Sequence, residues 1–208
     1  MAAEIINGAL ADGSVAFSLG EIGDVALLRA LRNFGRVTQT ELRVRSSLGA
    51  APNTYSSAYG RGAFPFHTDF AFRARPPRMV ALMNPTQLQF ERPTLVSDIL
   101  DLPVETLSAL QKSSWKLRTA GRSYFVWGFL PIGQNNAYRW DLQSLEPANE
   151  HARQCVKIVP EQLSGIQSTH EWLPNSGLLL DNWRVTHSRA SAPDVRTEKR
   201  TLIRYEVW

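Results

Sequence analysis

Cysteine is nearly absent from this chain of 208 residues: Cys155 stands alone, which excludes an internal disulfide and a small disulfide-stapled fold. Long apolar runs are missing too, since none approaches the ~20 residues that a helix needs to cross a bilayer. The opening Met1-Ala-Ala-Glu4-Ile-Ile-Asn7 lacks the basic, then apolar, then small-residue order of a secretory leader. These absences together lead us to expect a cytoplasmic protein without a membrane partner. Runs of one charge sign are scarce as well. The net charge of +4 arises from 23 Lys and Arg against 19 Asp and Glu. The basic residues are dispersed, with only short clusters such as Arg73-Ala-Arg75-Pro-Pro-Arg78 and Lys199-Arg200. Such a distribution argues against nucleic acid as a partner and suits a solvated surface with a few anion-binding arginines.

What is present is the composition of an ordinary globular protein, 43% hydrophobic and 20% charged. No repeat or low-complexity linker interrupts it, so the expectation is one domain over residues 1–208. Ser14 to Leu19 reads as an opening strand, and Asp24 caps a helix with apolar Val25, Leu28, Leu31 and Phe34 before Gly35. Thr38-Gln-Thr-Glu41 has capping-box spacing and predicts a short helix through Leu48, although Leu42 and Val44 alternating with charged residues also suit a strand. Residues 50–66 are rich in Ser, Gly, Pro, Asn and Tyr, the chemistry of a loop that leads to a site. Strand-like runs follow at Arg78 to Asn84, Thr94 to Ile99, Trp115 to Ala120, Ser123 to Leu130, Gly177 to Leu180 and Thr201 to Trp208. Pro103 to Lys112 and Pro160 to His170 read as helices opened by proline. Many strands with few βαβ crossovers predict a mainly β fold with flanking helices, a jelly roll or antiparallel barrel.

Three segments carry chemistry. In Phe64-Pro-Phe66-His67-Thr68-Asp69-Phe70, an imidazole and a carboxylate two residues apart on a strand face the same way and can chelate one ion. In Leu178-Leu-Leu-Asp181-Asn182-Trp183-Arg184-Val185-Thr186-His187-Ser188-Arg189, an apolar strand runs through a polar turn to a second histidine. Two histidines and one carboxylate form the ligand set of non-haem iron(II) oxygenases, with zinc as the chemical alternative. Of the four histidines, His151 and His170 lie in polar stretches and read as surface residues. In Lys199-Arg200-Thr201-Leu202-Ile203-Arg204-Tyr205, the guanidinium groups offer paired hydrogen bonds to a carboxylate, and spacing of four puts Arg200 and Arg204 on one face of a strand. The loop before the metal ligands presents Tyr55, Tyr59 and Arg61 as candidates to meet a small polar substrate.

His67-Thr-Asp69, Thr94 in Pro93-Thr94-Leu95, Asp181 through Arg189, and Arg200-x-x-x-Arg204 occur in the order of the taurine dioxygenase family, which this chain resembles. Around His187 it is also similar to the γ-butyrobetaine and trimethyllysine hydroxylase branch. The resemblance spans about Gly23 to Trp208 and implies a double-stranded β-helix. It further implies iron(II) held by His67, Asp69 and His187, with 2-oxoglutarate and dioxygen as cosubstrates. Thr94 and Arg200 match the positions that hold the distal carboxylate of 2-oxoglutarate, with Arg204 a second arginine able to exchange roles with Arg200. The implied activity is oxidation of a C–H bond in a small polar metabolite, an amino acid or related compound, with release of succinate and CO2. Asp69 sets the chain apart from halogenating relatives, which carry a small residue there. Two departures stand out: Phe90-Glu91-Arg92-Pro93 replaces a glycine-rich approach to Thr94, and the interval from His67 to His187, 187 − 67 = 120 residues, is short. The competing classes are a jelly-roll binding protein without turnover and, more remotely, a basic nucleic-acid-binding domain.

Overall fold

The computed structural model describes residues 1–43, 55–117, 124–191 and 201–208. Features expected within 44–54, 118–123 and 192–200, Arg200 among them, lie outside the described residues. Two antiparallel sheets carry the fold. The larger has the order β1 (Ser14–Ser18), β12 (Ser176–Asp181), β4 (Met79–Asn84), β14 (Thr201–Val207) and β2 (Val37–Arg43). The smaller has the order β11 (Ser168–Trp172), β5 (Phe90–Asp98), β13 (Val185–Arg189) and β3 (Phe64–His67). A third sheet joins β10 (Leu145–Pro147), β6 (Ser114–Leu117) and β7 (Phe125–Trp127), and β8 (Phe129–Ile132) pairs with β9 (Asn135–Tyr138). Among the described residues no helix is long and apolar enough to cross a membrane.

Side-chain alternation sorts the strand residues into separate cores. Val80, Leu82, Leu178, Leu180 and Leu202 of the five-stranded sheet meet Phe90, Val96, Trp172 and Val185 of the four-stranded sheet. The opposite face of the larger sheet turns Met79, Ala81, Met83, Leu179 and Tyr205 toward α1 (Ala2–Asp12) and α3 (Asp24–Phe34), with α2 (Leu19–Ile22) between them in the chain. A third core lies beyond the smaller sheet. There α5 (Val104–Lys112) and α6 (Glu150–Gly165) pack Leu110, Ala152, Cys155, Val159 and Leu163 against Phe66, Trp115 and Trp140. Because β4 and β12 are buried on both faces, they read as unbroken apolar runs rather than alternating ones. Two facing antiparallel sheets flanked by helices are the jelly roll that the strand count led us to expect.

Several local expectations give way to tertiary context. Val37–Arg43 is a strand paired with β14, not the start of a helix. Thr38 donates its hydroxyl to Glu206 at 2.6 Å instead of capping, because the sheet edge supplies backbone partners along the whole segment. The last predicted helix begins ten residues earlier than Pro160, at Glu150, where the Asn149 side chain accepts from the Ala152 N–H. Pro160 sits inside it, at a cost of about 3 kcal/mol. The stripe Ala152, Cys155, Val159 and Leu163, buried at helical spacing, outweighs that cost. The segment from Ser168 to Trp172 is then a strand, and His170 and His151 are half-buried rather than exposed. Helix α1 carries no side-chain cap and no sequence signal announced it; burial of Ile6 and Ala9 holds it in place. Tyr55–Tyr59 forms a single short helix, α4, within the expected loop.

Cys155 is fully buried, and desolvation pushes its thiol up to about 11. We expect a disulfide reagent such as Ellman's to leave the native protein unlabelled at pH 8 and to titrate one thiol after denaturation. Fast labelling of the folded protein would contradict this packing.

Candidate metal centre

The site grows from one pairing. His67 at the end of β3 and His187 in the middle of β13 are direct cross-strand partners. Val185 packs into the core between the sheets, so His187, two residues on, faces the same interior. Edge strand β3 tolerates Pro65, and that residue has a use: the Nδ1 of His67 lies 3.2 Å from the Pro65 carbonyl oxygen. A proton held there leaves Nε2 as the free electron pair for a metal.

Asp69 follows immediately, on a turn held from several sides. The Thr68 N–H donates to the Trp140 carbonyl at 2.7 Å, and the Thr68 hydroxyl accepts from the Trp140 N–H at 3.1 Å. The Asn182 side chain accepts from the Asp69 N–H at 2.7 Å while its amide donates to the carbonyls of Asp69 and Pro77, both at 3.0 Å. Phe70 adopts a left-handed φ of 57°, which turns the chain away sharply after the carboxylate. Buried Arg139 then donates to the carbonyls of Ala71, Arg73 and Ala74, fixing the turn from below.

In this frame the Nε2 of His67 lies 3.9 Å from one Asp69 oxygen and the Nε2 of His187 lies 3.8 Å from the other. One ligand atom from each of the three residues falls within a mutual 4.8 Å, and all three residues are buried. Asp69 Oδ2 is buried with no hydrogen-bond donor and lies 3.8 Å from the His187 Nε2. Such an oxygen is costly unless a cation completes it, so the donor set fits a divalent metal. The other oxygen of Asp69 accepts from Arg204 at 3.0 Å. Burial alone would raise the Asp69 carboxyl, but the Arg204 guanidinium and the two imidazoles hold it below the ordinary carboxylate range.

Arg204 comes from the opposite sheet. Leu202, Arg204 and Glu206 share the inner face of β14, and Glu206 binds the Arg204 Nε at 2.7 Å while accepting from the Thr38 and Thr40 hydroxyls. The centre lines a cavity of about 420 Å³ together with Thr94, Leu82 and Leu202, with exposed Arg43 and Phe72 also on its wall. Thr94 is buried, and its hydroxyl oxygen accepts from the Trp172 indole at 3.1 Å, so its own proton can be donated to another acceptor. Tyr55 also lines the cavity and packs against His67 in a tilted arrangement with ring centroids 4.2 Å apart. Burial and the Asp141 carboxylate that receives its hydroxyl proton push Tyr55 well above its ordinary range. Tyr59 instead stacks on the far side of Tyr55, and Arg61 offers its carbonyl to Arg92; neither is among the described residues lining the cavity.

Sequence reasoning named the three ligands, Thr94 and Arg204, yet assigned no role to Asn182, Trp172, Glu206 or Asp141. Glu206 was legible, because two residues along a strand returns to the face of Arg204. The others act across the fold and left no local signal. We expect Asn182→Ala to leave three buried backbone groups unpaired and to cost ~2 kcal/mol or more, since each such group costs ~1–3 kcal/mol. Urea denaturation would show the loss, and titration with manganese(II) would show weaker metal binding; unchanged values in both would remove Asn182 from the support of the site.

No known family profile matches the chain, and no curated protein matches it by sequence. Solved structures do match by fold. An asparagine oxygenase in complex with Fe(II), 2S,3S-3-hydroxyasparagine and succinate superposes with a TM-score of 0.71 at 17% identity, covering 99% of this chain and 77% of that one. The non-haem iron oxygenase OrfP, with Fe, succinate and (3S)-hydroxy-L-Arg bound, gives 0.71 at 14% identity over 100% and 79%. PvcB from Pseudomonas aeruginosa gives 0.67 at 14% identity over 100% and 79%. At such identities the likeness establishes a shared fold.

Proposed function

We propose that this protein is an iron(II)- and 2-oxoglutarate-dependent oxygenase that oxidises a C–H bond of a small polar metabolite, an amino acid or a close relative. The observation that carries the reading is the convergence of three buried ligand atoms from His67, Asp69 and His187 on the wall of a substrate-sized cavity. The fold neighbours that hold iron together with succinate and a hydroxylated amino acid support the same reading. The order of motifs resembles that of the taurine dioxygenase family, and the residues around His187 resemble its γ-butyrobetaine and trimethyllysine hydroxylase branch, which supports the same reading.

When bound, iron(II) with 2-oxoglutarate and dioxygen supplies the oxidant, and 2-oxoglutarate leaves as succinate and CO2. The protein's part is geometry and shielding. His67 and His187 would present their Nε2 atoms as donors, and Asp69 would contribute a negative charge, kept ionised by Arg204. The three would hold the metal through one ligand atom each, and the cavity that they line would receive cosubstrate and substrate. Thr94 is set to donate its hydroxyl proton to the distal carboxylate of 2-oxoglutarate, because Trp172 already fills its acceptor side. Arg204 is committed to Asp69 and Glu206, so we assign the principal carboxylate contact to Arg200. Leu82 and Leu202 give the remaining wall an apolar surface that keeps water from the reacting atoms.

Anaerobic titration with iron(II) and 2-oxoglutarate should produce the weak visible charge-transfer band of the chelate only when both are present. The band should vanish in His67→Ala and in His187→Ala; its failure to form in folded wild-type protein would overturn the reading. Arg200→Lys should weaken 2-oxoglutarate roughly tenfold or more, as expected when a charge-assisted bond worth ~1.5–3 kcal/mol is misplaced. An unchanged affinity for 2-oxoglutarate in that variant would return the role to Arg204.

A further inference from the structure

The cavity beside the metal centre has a second carboxylate that the chemistry above leaves unused. Asp141 lines it and is only 5% exposed. The cationic side chains on the same wall have partners elsewhere. Arg204 holds Asp69 and Glu206, Arg43 holds Glu41, and Arg189 donates to the carbonyls of Gly60 and Gly62. Among the described residues, Asp141 receives only neutral donors: the hydroxyls of Tyr55 and Ser144, and the N–H groups of Gln143 at 2.9 Å and Ser144 at 3.3 Å. These are unevenly placed. Oδ1 takes three of them, and Oδ2 takes the Ser144 hydroxyl alone. A carboxylate has about four lone-pair directions, so Oδ2 retains room for a further donor. A buried anion bonded only to neutral groups is best completed by a cation.

We propose that Asp141 is the specificity-determining residue of this site, accepting an ammonium or guanidinium group of the substrate. The inference rests on the oxygenase reading for the identity of the site, and it deepens that reading by naming the substrate group, an ammonium or guanidinium, and the residue that recognises it. Tyr55 links the two halves. Its ring packs against the metal ligand His67 while its hydroxyl holds Asp141, so the cation is bound at a set distance from the oxidising centre.

A purely local role for Asp141 would be to hold its own turn, in which the Leu145 N–H donates to the Asp141 carbonyl at 3.0 Å. The Asp141→Asn variant separates the two roles, since an asparagine keeps the turn bonds and loses the charge. Three probes share a five-carbon acid: L-ornithine, L-norvaline and pentanoate carry two, one and no ammonium groups. We would titrate each by calorimetry into the wild-type protein, with and without iron(II) and 2-oxoglutarate under anaerobic conditions. At least one ammonium-bearing probe should bind about tenfold or more tightly than pentanoate, and Asp141→Asn should erase the difference while leaving thermal stability near that of the wild type. Equal affinity for the three, no binding by any, or a preference that survives in Asp141→Asn overturns the assignment. The wild-type comparison stands by itself if the variant does not fold. A chelate band without ammonium preference would sink this inference and leave the oxygenase reading intact; ammonium preference without a band would do the reverse.

Discussion

The antiparallel pairing of β3 with β13 is the constraint on which the rest of the site depends. It sets His67 directly opposite His187, and strand alternation turns both imidazoles into the space between the two sheets. A slip of one residue in this register would send one of them to the α6 side, where Phe66 packs, and no centre could form. The pairing is secured from both flanks. Strand β5 binds the other edge of β13, with Val96 opposite His187, and the core of Val80, Leu82, Leu178, Leu180 and Val185 fills the space beside them.

The turn from β12 to β13 then positions what the strands cannot. Asp181 accepts from Arg78 at 2.7 Å, Asn182 grips the backbone of Asp69, and the Trp183 indole donates to the Pro76 carbonyl at 3.0 Å. Three consecutive residues thereby tie the segment that carries Asp69 to the strand that leads to His187. The two ligand-bearing segments are joined by hydrogen bonds between buried groups, whose loss is costly because nothing else is available to replace them. Pre-ordering of this kind lets the three donors wait close together at the expense of an unpaired oxygen on Asp69.

Both sheets bring charged groups to the cavity. The four-stranded sheet and the turn beyond it bring the metal ligands, and the five-stranded sheet brings Arg204, itself oriented by Glu206 and two threonines of β2. The strand that sequence reasoning took for a short helix is thus the one that orients the arginine. Its alternation of Thr38, Thr40 and Leu42 places both hydroxyls and an apolar side chain on the inner face. Asp141 adds a second carboxylate to the cavity, joined to the centre through Tyr55.

By itself the sequence determined the chemistry of the ligands. His67 and Asp69 stand two residues apart, His187 follows an apolar run and a polar turn, and Arg200 and Arg204 repeat at a strand-compatible interval, although Asp69 lies on the turn after β3 and is aimed by that turn's hydrogen bonds rather than by strand alternation. Those signals are local, because a pleated strand presents alternate residues to one face whatever lies around it. Strands β1, β4, β5, β12 and β14 were legible for the same reason, as was the helix from Asp24, whereas β2 and β11 fell in segments that read as helix. Tertiary structure alone decided the rest. It overrode a capping box at Thr38 by offering a sheet edge, and it kept Pro160 inside a helix by burying the stripe from Ala152 to Leu163. It also brought Trp172 to Thr94, Asn182 to Asp69 and Tyr55 to Asp141, pairs 78, 113 and 86 residues apart. Contacts of that span arise from the way two sheets close on one another, and no periodicity within either segment encodes its partner.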